Sequence, residues 1–90
     1  MPFDRELLPH PEDYYGYQAA LDKYKPKANG KATACCPFHD DKHPSLGINL
    51  ETGAYRCYSC GEGGGDVLAF HMSRNNYTFK EACEDLGAWK

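Results

Sequence analysis

The sequence predicts a small α+β domain, a short antiparallel sheet forming a ribbon with two metal knuckles, followed by two short helices. Three observations predict it. Cys36-Pro37-Phe38-His39 and Cys57-Tyr58-Ser59-Cys60 each set two soft donors two residues apart. The stretch around and between them has strand-like patterning, and two capped helical patterns follow the glycine cluster Gly61 to Gly65.

The elements follow in chain order. Residues 1–12, with Pro2, Pro9 and Pro11 beside Asp4, Glu6 and Glu12, read as an acidic proline-rich arm, and residues 13–90 as the ribbon domain with flanking helices. Asp13 is placed to cap a helix carrying Tyr14, Tyr17, Ala20, Leu21 and Tyr24 at three- and four-residue spacing. Pro26 and the Asn29-Gly30 turn stop it. Strands are expected at Ala32 to Cys36, Ser45 to Leu50 and Ala54 to Cys57, with Glu51-Thr52-Gly53 as a tight connection. Asp66 is an N-cap for a helix through Val67, Leu68 and Phe70 that ends near Asn75-Asn76. Thr78 with Glu81 is a capping box, opening a helix whose Phe79, Ala82, Cys83 and Leu86 share a face before Gly87 ends it.

A chain of 90 residues buries only about two-thirds of the surface it exposes when unfolded, so a small core needs a staple. With 5 Cys and 4 His, metal is the natural candidate. An odd number of cysteines fits a fully paired disulfide scaffold poorly, and the acidic first fifteen residues lack the apolar run of a secretory signal, so the expected compartment is the cytoplasm. The longest unbroken apolar run is Val67 to Phe70, which excludes a membrane-spanning helix.

Two such knuckles at the ends of a hairpin complete a tetrahedron, and three thiolates with one imidazole select zinc: Cys36, His39, Cys57 and Cys60. Four protein ligands leave no open position, so the site is structural. Four unrelated buried residues, or a C-x-x-C redox dithiol, are the alternatives; the dithiol lacks its usual βαβ setting. His43 precedes Pro44, which denies it helical geometry with His39. Cys35 points to the opposite face of a strand from Cys36, and Cys83 reads as a small core residue. His10 and His71 read as solvent-facing or satisfied histidines. The Gly61 to Asp66 stretch lacks the Lys-Ser/Thr of a P-loop, and Asp66 stands where a dinucleotide fingerprint needs glycine, so it reads as a flexible bend.

Charge is unevenly placed. The net charge of −3 divides into −4 over residues 1–22, +3 over 23–56 and −2 over 57–90. Tyr14, Tyr15, Tyr17 and Tyr24 stand near Lys23, Lys25, Lys27 and Lys31, and Arg56 and Tyr58 lie on the ribbon itself. Rings that stack on unpaired bases and cations that track phosphates make a single-strand platform. Core tyrosines with solvated lysines account equally for the first group; Arg56, on a strand and facing away from Cys57, is the stronger contact candidate. Asp40-Asp41 and Glu84-Asp85 read as solvated surface rather than a divalent-metal catalytic site.

These residues resemble a known family, the N-terminal zinc-binding domain of bacterial DnaG-type DNA primases, a Cys-His-Cys-Cys zinc ribbon. The matching positions are Cys36-Pro37-Phe38-His39, Lys42, Pro44-Ser45-Leu46, Tyr55 to Gly61, Gly65-Asp66-Val67 and Phe79 to Ala82 with Leu86. The resemblance implies a non-catalytic module that reads single-stranded DNA template and helps a separate primase catalytic domain start an RNA primer in DNA replication. It adds Lys42 to Arg56, Tyr58 and Lys31 as expected nucleic-acid contacts. His43 and Leu46 depart from the residues usual there, and residues 1–20 look unlike the family. The chain is then expected to be either a domain of a longer primase or a stand-alone ribbon acting with a catalytic partner. The alternative is a ribbon that docks on a replicative helicase, polymerase or regulator without touching DNA, which the net charge of −3 favours.

Overall fold

The computed structural model describes residues 3–38 and 43–89. Five antiparallel strands form one sheet in the order β1-β2-β3-β4-β5: β1 Lys25–Pro26, β2 Lys31–Ala34, β3 Leu46–Asn49, β4 Tyr55–Cys57 and β5 Gly63–Gly64. Among the described residues three helices and a short 3-10 turn, Arg5–Leu7, accompany it. Helix α1 starts at Pro11–Asp13 and continues as a π-helical turn over Tyr14–Gln18, α2 spans Val67–Asn75 and α3 spans Phe79–Asp85. The α+β ribbon expected from the sequence is the fold found.

The three central strands overlap the expected ones, but β2 ends at Ala34, so Cys35 and Cys36 lie beyond it rather than alternating on a strand. Alternation makes their inner face: Ala32 and Ala34 of β2, Leu46 and Ile48 of β3, and Tyr55 and Cys57 of β4 are all buried. The edge strands β1 and β5 carry too few residues for any periodicity. The glycine bend in fact pairs as β5 through backbone alone, Tyr55 with Gly64 and Arg56 with Gly63. The connection between β3 and β4 is a side-chain-supported turn, in which Asn49 Oδ1 accepts from the Glu51 N–H at 2.9 Å.

Helix boundaries follow their caps. Asp66 Oδ1 accepts from Ala69 N–H at 2.8 Å, and α2 ends on Asn76 in the left-handed conformation. Thr78 and Glu81 form the reciprocal capping box of α3. The first helix differs from expectation. His10 caps it, Pro11 opens it, and Asp13 lies inside it without a capping bond, because Pro11 at the first helical position nucleates the turn earlier.

The inner sheet face is closed by α1 and α2 around one aromatic cluster. Phe70 is fully buried and meets Tyr14, Tyr15, Phe38 and Tyr55 edge-on, with ring centroids 5.0–5.8 Å apart. Tyr14 and Tyr15 thus belong to the core, not to a surface stack. Tyr15 Oη also donates to the Gly53 carbonyl at 2.6 Å, tying α1 to the β3–β4 turn. His71 is buried and satisfied, with Nδ1 2.7 Å from Tyr14 Oη and Nε2 2.5 Å from Asp85 Oδ2. Asp85 is therefore a partner that joins α3 to α2, not merely solvated charge.

The described part of the first twelve residues packs on the helices. Phe3 bridges to Trp89 and lies edge-on to Phe79 at 5.1 Å, the Asp4 N–H donates to the Ala88 carbonyl, and Arg5 pairs with Asp66 at 3.0 Å.

Removing the ring at the centre of this core leaves a cavity that four aromatic neighbours cannot fill. Phe70→Ala is expected to cost about 3–5 kcal/mol in urea unfolding. A loss below about 1 kcal/mol would contradict the packing described.

Candidate metal centre and sheet surface

Cys36 follows β2, Cys57 ends β4, and Cys60 sits at the end of the turn that leaves it. Pairing of β2 and β4 with β3 brings these segments together, since Ala34 and Cys57 both stand opposite Leu46. The three sulfur atoms lie within 4.8 Å of one another. The Cys36 and Cys60 sulfurs are 3.7 Å apart. Two thiolates on one tetrahedral zinc, at about 2.3 Å each, stand about 3.8 Å apart, so this spacing fits the ion.

The backbone is arranged for sulfur that carries charge. Cys57 Sγ is approached by the N–H groups of Ser59 and Cys60, both at 3.4 Å, and by Ser45 Oγ at 3.4 Å. Gly61 closes the knuckle at φ +83°, and its N–H donates to the Cys57 carbonyl at 3.1 Å. Nothing lies near its missing Cβ, so backbone conformation, not space, calls for glycine there.

Electrostatics points the same way. Burial pushes the Cys36 thiol up to about 12; the Phe38 backbone N–H pulls it down, and contact with the Cys57 and Cys60 thiols raises it again. Burial therefore holds the Cys36 thiol neutral until a cation draws off its proton, and a coordinating thiol is deprotonated outright. When bound, the ion would cross-link the segments that carry Cys36, Cys57 and Cys60.

His39 and Lys42 lie outside the described residues. Cys35 is buried, its backbone N–H bonded to the Asp22 carbonyl, and Cys83 is in the small core of α2 and α3; neither belongs to the described sulfur cluster. His43 is exposed and outside that cluster.

The opposite sheet face is polar and cationic. Lys31, Thr33, Gly47, Asn49 and Arg56 alternate outward with the buried residues of β2, β3 and β4. An open groove of about 490 Å³ runs over them, its rim formed by Lys27, Asn29, Lys31, Asn49, Arg56 and Tyr58. Three cations and no carboxylate belong to its described lining. Lys31, Arg56 and Tyr58 all line this groove. Lys27, weighed in the sequence beside the tyrosines, joins them with Asn29 and Asn49, which the pairing of the strands brings in.

Paired cysteine knuckles on a short antiparallel sheet define the zinc-ribbon class. Comparison with known proteins narrows this. Residues 20–89 match the model of the CHC2 zinc finger, a DnaG zinc ribbon. Over 49 residues the chain is 51% identical to the DNA primase of Chlamydia trachomatis, covering 54% of this chain and 8% of that protein. Over 61 residues it is 43% identical to the DNA primase of Pseudomonas putida, covering 67% of this chain and 9% of that one. The crystal structure of the zinc-binding and RNA polymerase domains of Aquifex aeolicus primase superposes with a TM-score of 0.72 at 26% identity, covering 91% of this chain and 20% of that one. The chain belongs to the CHC2 zinc-finger family, the zinc-binding domain of DnaG-type primases, and its cofactor is zinc. It spans about a tenth of the length of the primases it matches.

Apparent zinc binding of about 10–16 kcal/mol in finger peptides exceeds the few kcal/mol available from a core this small. Chelation at neutral pH, or Cys60→Ala, is expected to unfold residues 31–61 and abolish the near-ultraviolet circular dichroism of the ribbon tyrosines. A chelated sample with its native spectrum would contradict a structural role for the ion.

Proposed function

We propose that the outward face of the sheet holds single-stranded DNA template and that the domain supports RNA primer initiation by a primase catalytic domain. Zinc is held in this reading by Cys36, His39, Cys57 and Cys60, a closed site that fixes the sheet rather than acting on substrate. Lys31 and Arg56 follow the phosphates, Tyr58 meets a base, and Lys42 adds a further cation.

The observation that carries the reading is the groove over β2 to β4, whose described lining has cations, amides and a ring and no carboxylate. The overall acidity does not oppose it. Glu81, Glu84 and Asp85 lie on α3, and none of them lines the groove. A local cationic patch attracts phosphate whatever the total charge. In this reading catalysis falls to a separate primase catalytic domain.

A second reading, docking on a replicative helicase or catalytic domain without DNA contact, draws on the exposed Leu7 and Phe79 beside the helices. The two readings use different surfaces and are separable. Fluorescence anisotropy with short labelled single strands is expected to show weak binding that falls with salt. In Arg56→Ala the logarithmic salt slope is expected to be shallower by about 0.7, the value of one neutralised phosphate on a single strand. Absence of binding at low salt, with zinc intact, would favour the docking reading.

A further inference from the structure

The chain has four asparagines, Asn29, Asn49, Asn75 and Asn76, and the turn from β1 to β2 sets the first apart from the others. An asparagine side chain is open to attack at Cγ by the backbone nitrogen of the residue that follows it, provided that nitrogen is free. After Asn49, the Leu50 N–H is bonded to the Gly30 carbonyl at 2.9 Å, and Leu50 is buried. After Asn75, the Asn76 N–H is bonded to the Met72 carbonyl, and after Asn76 the Tyr77 N–H is bonded to the same carbonyl at 3.0 Å. After Asn29, the Gly30 N–H donates to no group among the described residues, and glycine brings no side chain to hinder approach. Its φ of +77° makes glycine the residue this turn favours.

The acceptor is prepared as well as the nucleophile. Lys31 N–H donates to Asn29 Oδ1 at 3.1 Å, which polarises the side-chain carbonyl and meets the negative charge that its oxygen takes on under attack. Lys27 and Lys31 line the same groove and favour that charge. Asn49 Oδ1 has a like donor in the Glu51 N–H at 2.9 Å, so the free nitrogen after Asn29 is what separates the two sites. Asn29 is exposed, which admits the water that completes the reaction.

We infer that Asn29 is a modification site that deamidates without an enzyme in the folded protein. Gly30 N forms a bond to Asn29 Cγ, the Cγ–Nδ2 bond breaks, and the proton lost by Gly30 leaves with Nδ2 as ammonia. Water then opens the cyclic imide at either carbonyl, giving aspartate or isoaspartate. Either product places a carboxylate in a groove whose described lining holds three cations and no acid. On the reading of that face as a single-strand site, the conversion weakens its hold on phosphate.

The test ages zinc-loaded protein near neutral pH with gentle warming and follows each asparagine by peptide mass mapping. The mass gain of amide to acid is expected at Asn29, divided between aspartyl and isoaspartyl peptides. Its rate is expected to exceed that at Asn49 by roughly tenfold or more, the factor for having no backbone hydrogen bond to break first. The free peptide of residues 27–33 is the reference, and the folded protein is expected to keep pace with it. Asn29→Gln, whose extra methylene enlarges the ring to be closed, is expected to stay unmodified. An amide at Asn29 that persists while the peptide converts, or conversion of Asn49, Asn75 or Asn76 at the rate of Asn29, would overturn the site. In anisotropy at low salt, Asn29→Asp is expected to bind a labelled oligothymidylate more weakly than Asn29→Gln. Equal binding by the two would overturn the effect on the groove. Failure of the native protein to bind would overturn the single-strand reading together with that effect, whereas the modification stands or falls on the mass alone.

Discussion

The convergence of three sulfur atoms is the constraint on which the remaining architecture depends. Cys36, Cys57 and Cys60 come from the far ends of a hairpin system and meet within 4.8 Å. Without an ion, that crowding is unfavourable: burial already resists ionisation of Cys36, and neutral thiols have little to gain from one another. With zinc, the same crowding becomes a cross-link through three sulfurs joining the end of β2, β4 and the turn that follows. The short strands, two of them only two residues long, have no comparable source of order.

The metal site and the outward cationic face are connected by the two-residue periodicity of the strands. In β4, Tyr55 and Cys57 point inward while Arg56 points outward, so the register that buries the sulfur also exposes the cation. A slip of one residue would exchange those roles. The knuckle also continues directly into Tyr58, whose backbone pairs with Ser45 while Ser45 Oγ stands beside Cys57. Zinc thus sets the position of the groove wall from the other side of the sheet.

Much of this is legible in the sequence where a residue acts through local chemistry. Asp66, Thr78 and Glu81 cap their helices as their side chains dictate, and the spacing of Cys36, Cys57 and Cys60 leads directly to the cluster. Features set by pairing over long distances are not legible in that way. The edge strands Lys25–Pro26 and Gly63–Gly64 acquire strand character only from their partners, so the glycine run looks like a bend. Asp85 looks like surface charge because its partner His71 lies fourteen residues away on another helix. Tyr14 and Tyr15 can be weighed as stacking residues until α1 turns them into the Phe70 cluster.

The most direct test is X-ray absorption at the zinc edge on gently purified protein, combined with elemental analysis. One zinc per chain is expected, with a shell of three sulfurs at about 2.3 Å and one imidazole nitrogen at about 2.0–2.1 Å. A zinc content far below one equivalent, or a shell dominated by oxygen, would contradict the cross-link on which the sheet and its cationic face depend.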